Sequence, residues 1–87
     1  MTQDIRAVVV SALDAVAGVL NRPDMARTLM AGQDLAFDVV EIDSLSLLEL
    51  VMQIEDALGV ELDADEVAAQ GSINGLVRFL QPRVAAG

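Results

Sequence analysis

The sequence predicts an all-α fold: three principal helices and one shorter helix, with a long loop between helices one and two. Three observations lead there. Apolar residues recur at helical spacing in three separate stretches. Runs of β-branched and aromatic residues divided by hairpin turns are missing. Breakers and cap residues fall between the periodic stretches, at Asn21-Arg22-Pro23-Asp24, at Gly59 and at Gly71-Ser72. With 87 residues the chain is the size of one small domain, expected to be ordered over about 3–81 with a frayed C-terminal tail at Val84-Ala85-Ala86-Gly87.

The first helix is expected to start at Thr2 or Asp4 as cap and to run to about Leu20. Ile5, Val8, Val9, Ala12, Leu13, Val16 and Leu20 form one stripe at helical spacing. Val8-Val9-Val10 alone suggests a strand, but the periodic pattern is too long for one. Arg6 and Asp14 fall on the opposite face. A connection of about twenty residues comes next, which is long for a compact domain. It is expected to hold one helical turn, with Asp24 as cap, Met25 to Met30 inside and Gly32 as the stop. Beyond it Leu35, Phe37, Val40 and Ile42 are apolar anchors that pin the loop over the core. Asp34 and Asp38 alternate with them but lack the spacing of a calcium loop, so no metal site is expected.

The central helix carries the most information. Asp43 is its expected N-cap, its carboxylate accepting orphan amides of the first turn. Ser44 then becomes the first helical residue, with its hydroxyl beside the positive end of the helix dipole, a place that favours a phosphate on that oxygen. Read from the tripeptide Asp43-Ser44-Leu45 alone, Ser44 as the cap and nothing more is the better reading, since Ser and Asp are the commonest cap residues. Leu47, Leu50, Val51, Ile54 and Leu58 are spaced i, i+3, i+4, i+7, i+11 and make the core face. Leu45, Leu48 and Met52 make a second apolar stripe, bordered by Glu49, Glu55 and Asp56. A solvated face has no use for Leu, Leu and Met at helical spacing. The stripe reads instead as a docking surface for a partner with a basic rim. Gly59 stops the helix.

After it, Asp63 and Glu66 have capping-box spacing and open a short helix over about Ala64 to Gln70. Ser72 caps the last helix, whose apolar face is Ile73, Leu76, Val77 and Leu80, and Pro82 is expected to end it.

Composition narrows the function. Hydrophobic residues are 54% of the chain and aromatics 2%, so the core must be built from Leu, Val, Ile, Ala and Met. The net charge of −9 disfavours nucleic acid and anionic membranes and favours basic protein partners. His, Cys and Lys are all absent. The usual proton shuttle and sulfur nucleophile are therefore missing, there is no disulfide framework, and no catalytic residue is expected. No secretory signal and no apolar run of transmembrane length are found, so the reading is a soluble, cytoplasmic, single-domain protein, and a monomer is expected.

Asp43-Ser44-Leu45, then Glu49-Leu50-Val51-Met52, then Glu55-Asp56 resembles the acyl carrier protein family, over about Asp34 to Leu80. The resemblance implies a small up-down bundle and a covalent 4'-phosphopantetheine arm, taken from coenzyme A, on Ser44. It also implies acyl groups held on that arm as thioesters for fatty-acid or polyketide-type biosynthesis. An acyl chain would shelter between the central helix, the loop and the short helix. The implied partners are a phosphopantetheinyl transferase and acyl-loading and chain-processing enzymes with basic docking surfaces. They would meet Leu45, Leu48, Glu49, Met52, Glu55 and Asp56. Two positions depart from the family pattern: Glu41 stands where a glycine is usual, and Ser46 where an acid is common. The first bears on the loop before the helix, the second on one partner contact. The alternative is an unmodified acidic adaptor that uses the Leu45/Leu48/Met52 stripe only to bind a basic protein.

Overall fold

The computed structural model describes residues 4–86 and, among them, contains helices and no strand. Helix α1 spans Ile5–Ala17, followed by a 3-10 turn at Val19–Asn21; α2 spans Pro23–Met30, α3 Phe37–Val40, α4 Ser44–Leu58, α5 Ala64–Ala69 and α6 Ile73–Ala86. Helix α1 packs chiefly on α4 and α6, and α5 on α4. Val9, Leu13, Leu50, Ile54, Ile73, Leu76 and Leu80 are fully buried between them. Each leucine or isoleucine so buried contributes about 1.5–3 kcal/mol relative to exposure. The expected all-α fold is found, with the core made of aliphatic side chains.

Asp4 starts α1 by accepting the Ala7 N–H at 3.1 Å. The alternative cap, Thr2, lies outside the described residues. The helix ends three positions before the expected Leu20. Gly18 adopts a left-handed conformation, φ 65°, which glycine takes without a Cβ clash. The Asp14 carboxylate then accepts the Leu20 N–H at 3.0 Å and shapes the turn. The chain rotates as a result: Val19 is fully buried, and Leu20, expected in the apolar stripe, is exposed.

Arg6, expected on the face opposite the apolar stripe, is half-buried and bonded. Its guanidinium donates to the Asn74 side chain at 2.7 Å and to the carbonyls of Gln33 at 2.8 Å and Leu29 at 3.3 Å. One cation thus ties α1 to the end of α2 and the start of α6. The planar, five-donor guanidinium suits a junction of this kind.

The long loop contains more helix than its sequence announces. Pro23 sits in the first turn of α2, where its missing N–H costs nothing. The stretch Leu35–Ile42 holds the short helix α3. Phe37 donates its N–H to the Gly71 carbonyl, and Ile73 donates to the Leu35 carbonyl, both at 3.0 Å. The Asp34 carboxylate accepts the N–H groups of Leu35 and Asn74, each at 2.8 Å. Hydrogen bonding from Asn74 above all holds the Asp34 carboxyl below its ordinary pKa. Leu35, Phe37 and Val40 are buried and Ile42 packs on the core, so the anchors expected from sequence do pin the loop.

Helix α6 begins as expected, with the Ser72 hydroxyl accepting the Gly75 N–H at 3.2 Å. A Cβ on Gly75 would come within 2.5 Å of the Gln70 carbonyl oxygen, so the close approach of α5 to α6 requires a glycine there. The expected stop at Pro82 is not found, since α6 continues to Ala86. Proline removes the hydrogen bond to the carbonyl four residues earlier, and its ring crowds that carbonyl. Arg78 and Pro82 are both exposed, where water can take that place. Gly87 lies outside the described residues.

Candidate functional site

Helix α4 builds the site. Asp43 is extended, φ −86° and ψ −180°, and its carboxylate accepts the Ser46 N–H at 2.8 Å. That bond is also the main reason the Asp43 carboxyl lies below its ordinary pKa, and it keeps the cap charged. Ser44 follows as the first helical residue and is exposed. With capping done by its neighbour, the Ser44 hydroxyl has no structural task. It stands at the positive end of a helix of 15 residues, where an anion is stabilised. The helix stops at Gly59, whose φ is 67°.

The two faces of α4 separate as their spacing predicts. Leu50, Val51 and Ile54 are buried, with Leu47 and Leu58 packed on the core. Leu45, Leu48 and Met52 are exposed to 67%, 52% and 62%. Glu49 and Asp56 are exposed beside them. Glu55 departs from the expected pattern. It is half-buried, and its carboxylate accepts the Leu62 N–H at 2.9 Å, which fastens the link between α4 and α5 to the side of α4. Of the three acids expected to border the stripe, only Glu49 and Asp56 are left with free carboxylates among the described residues.

Beside Ser44 lies a cavity of about 280 Å³. Its apolar lining comes from Phe37, Ile42, Leu47 and Ala68, so α3, its exit, α4 and α5 all contribute. Asp38, Glu41 and Asp43 line it as well. This is the place between central helix, loop and short helix where the resemblance puts an acyl chain. The opening at Ser44 suits a flexible arm on that hydroxyl, with its phosphate against the first turn of α4 and its far end free to turn inward. The residues present therefore fit the arm.

Glu41, one of the two departures, is a left-handed residue, φ 62° and ψ 49°, and the only non-glycine with positive φ among the described residues. The backbone thus makes here the turn that a glycine makes most easily, and a glutamate accepts the strain. The sequence shows the missing glycine but does not by itself place Glu41 or Asp38 at the cavity. The one signal it holds is that Glu41 stands next but one before the cap. No cluster of acids among the described residues has the arrangement of a metal site. No helix among them is long and apolar enough to cross a membrane.

Comparison with known proteins agrees with this geometry. A family model described as "Phosphopantetheine attachment site" matches residues 11–80, from the middle of α1 to the core turn of α6. The chain is similar to "Acyl carrier protein 3" of Ralstonia nicotianae, 36% identical over 70 residues, which are 80% of this chain and 77% of that protein. It is also similar to "Acyl carrier protein" of Rhodococcus erythropolis, 34% identical over 50 residues, 58% of this chain and 55% of that one. No solved structure matches it. The chain belongs to the acyl carrier protein family, whose members are carriers rather than enzymes and bear a covalent 4'-phosphopantetheine.

Proposed function

We propose that Ser44 bears the arm and that the chain carries acyl intermediates for fatty-acid or polyketide-type biosynthesis in the cytoplasm, as a single-domain monomer. The observation that carries the assignment is the division of labour at the start of α4: Asp43 accepts the Ser46 N–H, and the neighbouring Ser44 is exposed. The arm supplies a thiol on which acyl groups are held as thioesters. The protein's own residues do the rest. The first turn of α4 steadies the phosphate of the arm. Phe37, Ile42 and Leu47 offer apolar surface from which water is displaced. Leu45, Leu48 and Met52 give a partner an apolar anchor, and Glu49 and Asp56 orient a basic rim around it. The partners are a phosphopantetheinyl transferase and the acyl-loading and chain-processing enzymes. The lack of Lys, Cys and His leaves few side chains able to attack a thioester.

Incubation with coenzyme A and a broad-specificity transferase tests the assignment. Intact mass should rise by one arm in the wild type and not at all in Ser44→Ala. An arm on the alanine variant, or none on the wild type, overturns it; the second result favours the acidic adaptor reading.

A further inference from the structure

The cavity beside Ser44 has an uneven lining. Part of it is apolar, with Phe37 buried and Ile42 and Leu47 half-buried. Its remaining residues include Asp38, Glu41 and Asp43, all three exposed, and no cation is among them. An occupant of the cavity therefore meets carboxylates beside apolar surface. An uncharged chain is indifferent to them. A chain that ends in a carboxylate loses hydration on entry and is repelled as well.

Glu41 is the informative member. Asp43 is needed as the cap of α4. The Glu41 side chain makes no hydrogen bond or ion pair among the described residues, and its left-handed backbone would be easier for glycine. A strained residue whose side chain contributes nothing to the fold points to a use of the side chain at the site. Resting on Ser44 as the attachment point, we infer that Glu41, with Asp38, is a specificity-determining residue that admits uncharged acyl chains to the cavity and keeps carboxylate-bearing acyl groups outside it. An acyl group of the second kind stays in solvent, where its thioester is open to attack; one of the first kind is sheltered. At a volume of about 280 Å³ the cavity is near the lower end of small-ligand pockets, so a short chain fills it.

The test compares two acyl groups of equal length, hexanoyl and adipoyl, loaded on wild type and on Glu41→Gln from the matching coenzyme A thioesters. Two readouts are taken: the rate of thioester cleavage by hydroxylamine, relative to the free coenzyme A thioester, and the amide shifts of Phe37, Leu47 and Ala68. Glutamine keeps the size and the backbone strain and removes only the charge. In the wild type, hexanoyl should be protected and should shift those amides, and adipoyl should be cleaved at nearly the free rate. In Glu41→Gln, protection of adipoyl should rise roughly fourfold, the repulsion expected for an anion about 5 Å away in water-like surroundings. Hexanoyl should be unchanged. Equal protection of both groups in the wild type, or an unchanged ratio in Glu41→Gln, overturns the inference and leaves the carrier assignment standing. Failure to load Ser44 at all overturns both.

Discussion

Glu41→Gly should make the protein more stable, against the usual effect of glycine. The magnitude comes from the backbone. An L-residue held at φ 62° and ψ 49° costs about 1–2 kcal/mol. Glycine removes that cost and adds a larger loss of chain freedom on folding, about 0.5–1 kcal/mol. The Glu41 side chain is exposed and bonds to nothing among the described residues, so no packing is lost with it. The net gain is about 0.5–1 kcal/mol, or roughly 2–8 °C in melting temperature for a domain of this size. Charge offers a competing explanation, since removing one acid from a chain of net charge −9 also relieves repulsion. Two controls separate them. Glu41→Gln removes the charge and keeps the strain; Glu41→Ala removes charge and side chain and keeps the strain. Thermal and urea unfolding of the unmodified protein decide it. Strain relief requires Glu41→Gly to exceed both controls. A glycine variant no more stable than the glutamine variant would refute the argument, and with it the claim that the loop before α4 demands a left-handed residue.

Three further outcomes are expected. Leu50→Ala and Ile54→Ala should each lose roughly 2–5 kcal/mol of stability with little direct effect on docking, while Leu48→Ala and Met52→Ala should slow arm attachment more than they lower the melting temperature; equal destabilisation at all four would mean the faces of α4 are wrongly drawn. Glu49→Gln with Asp56→Asn should reduce the initial rate of arm attachment at low salt, and the difference from wild type should close as salt shortens the reach of these charges to about 8 Å and below; parallel curves would deny them a steering role. Asp34 and Asp43 have pKa values lowered in the folded state from the ordinary 3.8, so their contribution to stability is complete above that value and is lost as pH falls through the folded values. Acid unfolding measured below about pH 4 should therefore be shallower in Asp34→Asn, which no longer titrates there, and an unchanged acid limb would show that the clamp on Asn74 contributes nothing.

The parts legible in the sequence are those decided within a turn or two of chain. Both faces of α4 come from a period of 3.6 sustained over the whole helix, and burial confirms each stripe. Asp43, Asp63 and Ser72 are readable as caps because a cap acts on amides two or three residues away. The illegible parts are non-local or weakly periodic. Helix α3 has four residues, too few to show a period, and is held by bonds from the Gly71–Ile73 segment. Asp34 finds Asn74 across 40 residues. Arg6 finds the same residue across 68. The apolar stripe of α1 continues on paper to Leu20, but Gly18 ends the helix and rotates Val19 and Leu20 out of register with it. At the site, the cap, the serine and the exposed stripe are legible because they share one helix. The cavity is legible only in outline, since its walls come from separate segments.

The acids of this chain divide by task, and the division explains how so negative a protein folds. There is one ion pair among the described residues, Arg83 with Glu66 at 3.5 Å, exposed and worth ~0–1 kcal/mol at most. Ion pairing therefore does not offset the charge. Helix ends and turns do. Asp4, Asp14, Asp34, Asp43, Glu55 and Asp63 each accept a backbone N–H at a start, turn or junction. A carboxylate bonded to an amide at a helix start is stabilised by the helix dipole as well as by the bond. Asp34 and Asp43, whose carboxyls are held below their ordinary pKa, contribute to the fold because they are charged. The side chains of Asp38, Glu41, Glu49 and Asp56 have no such bond among the described residues, and they lie at the cavity beside Ser44 or along the exposed stripe of α4. Asp24, Glu61 and Asp65 also lack such a bond and lie elsewhere, so four of the acids the fold does not fasten stand at the proposed arm and partner surfaces. Removing acids of the first set should unfasten helix ends; removing Asp38, Glu41, Glu49 or Asp56 should change which groups approach and how fast.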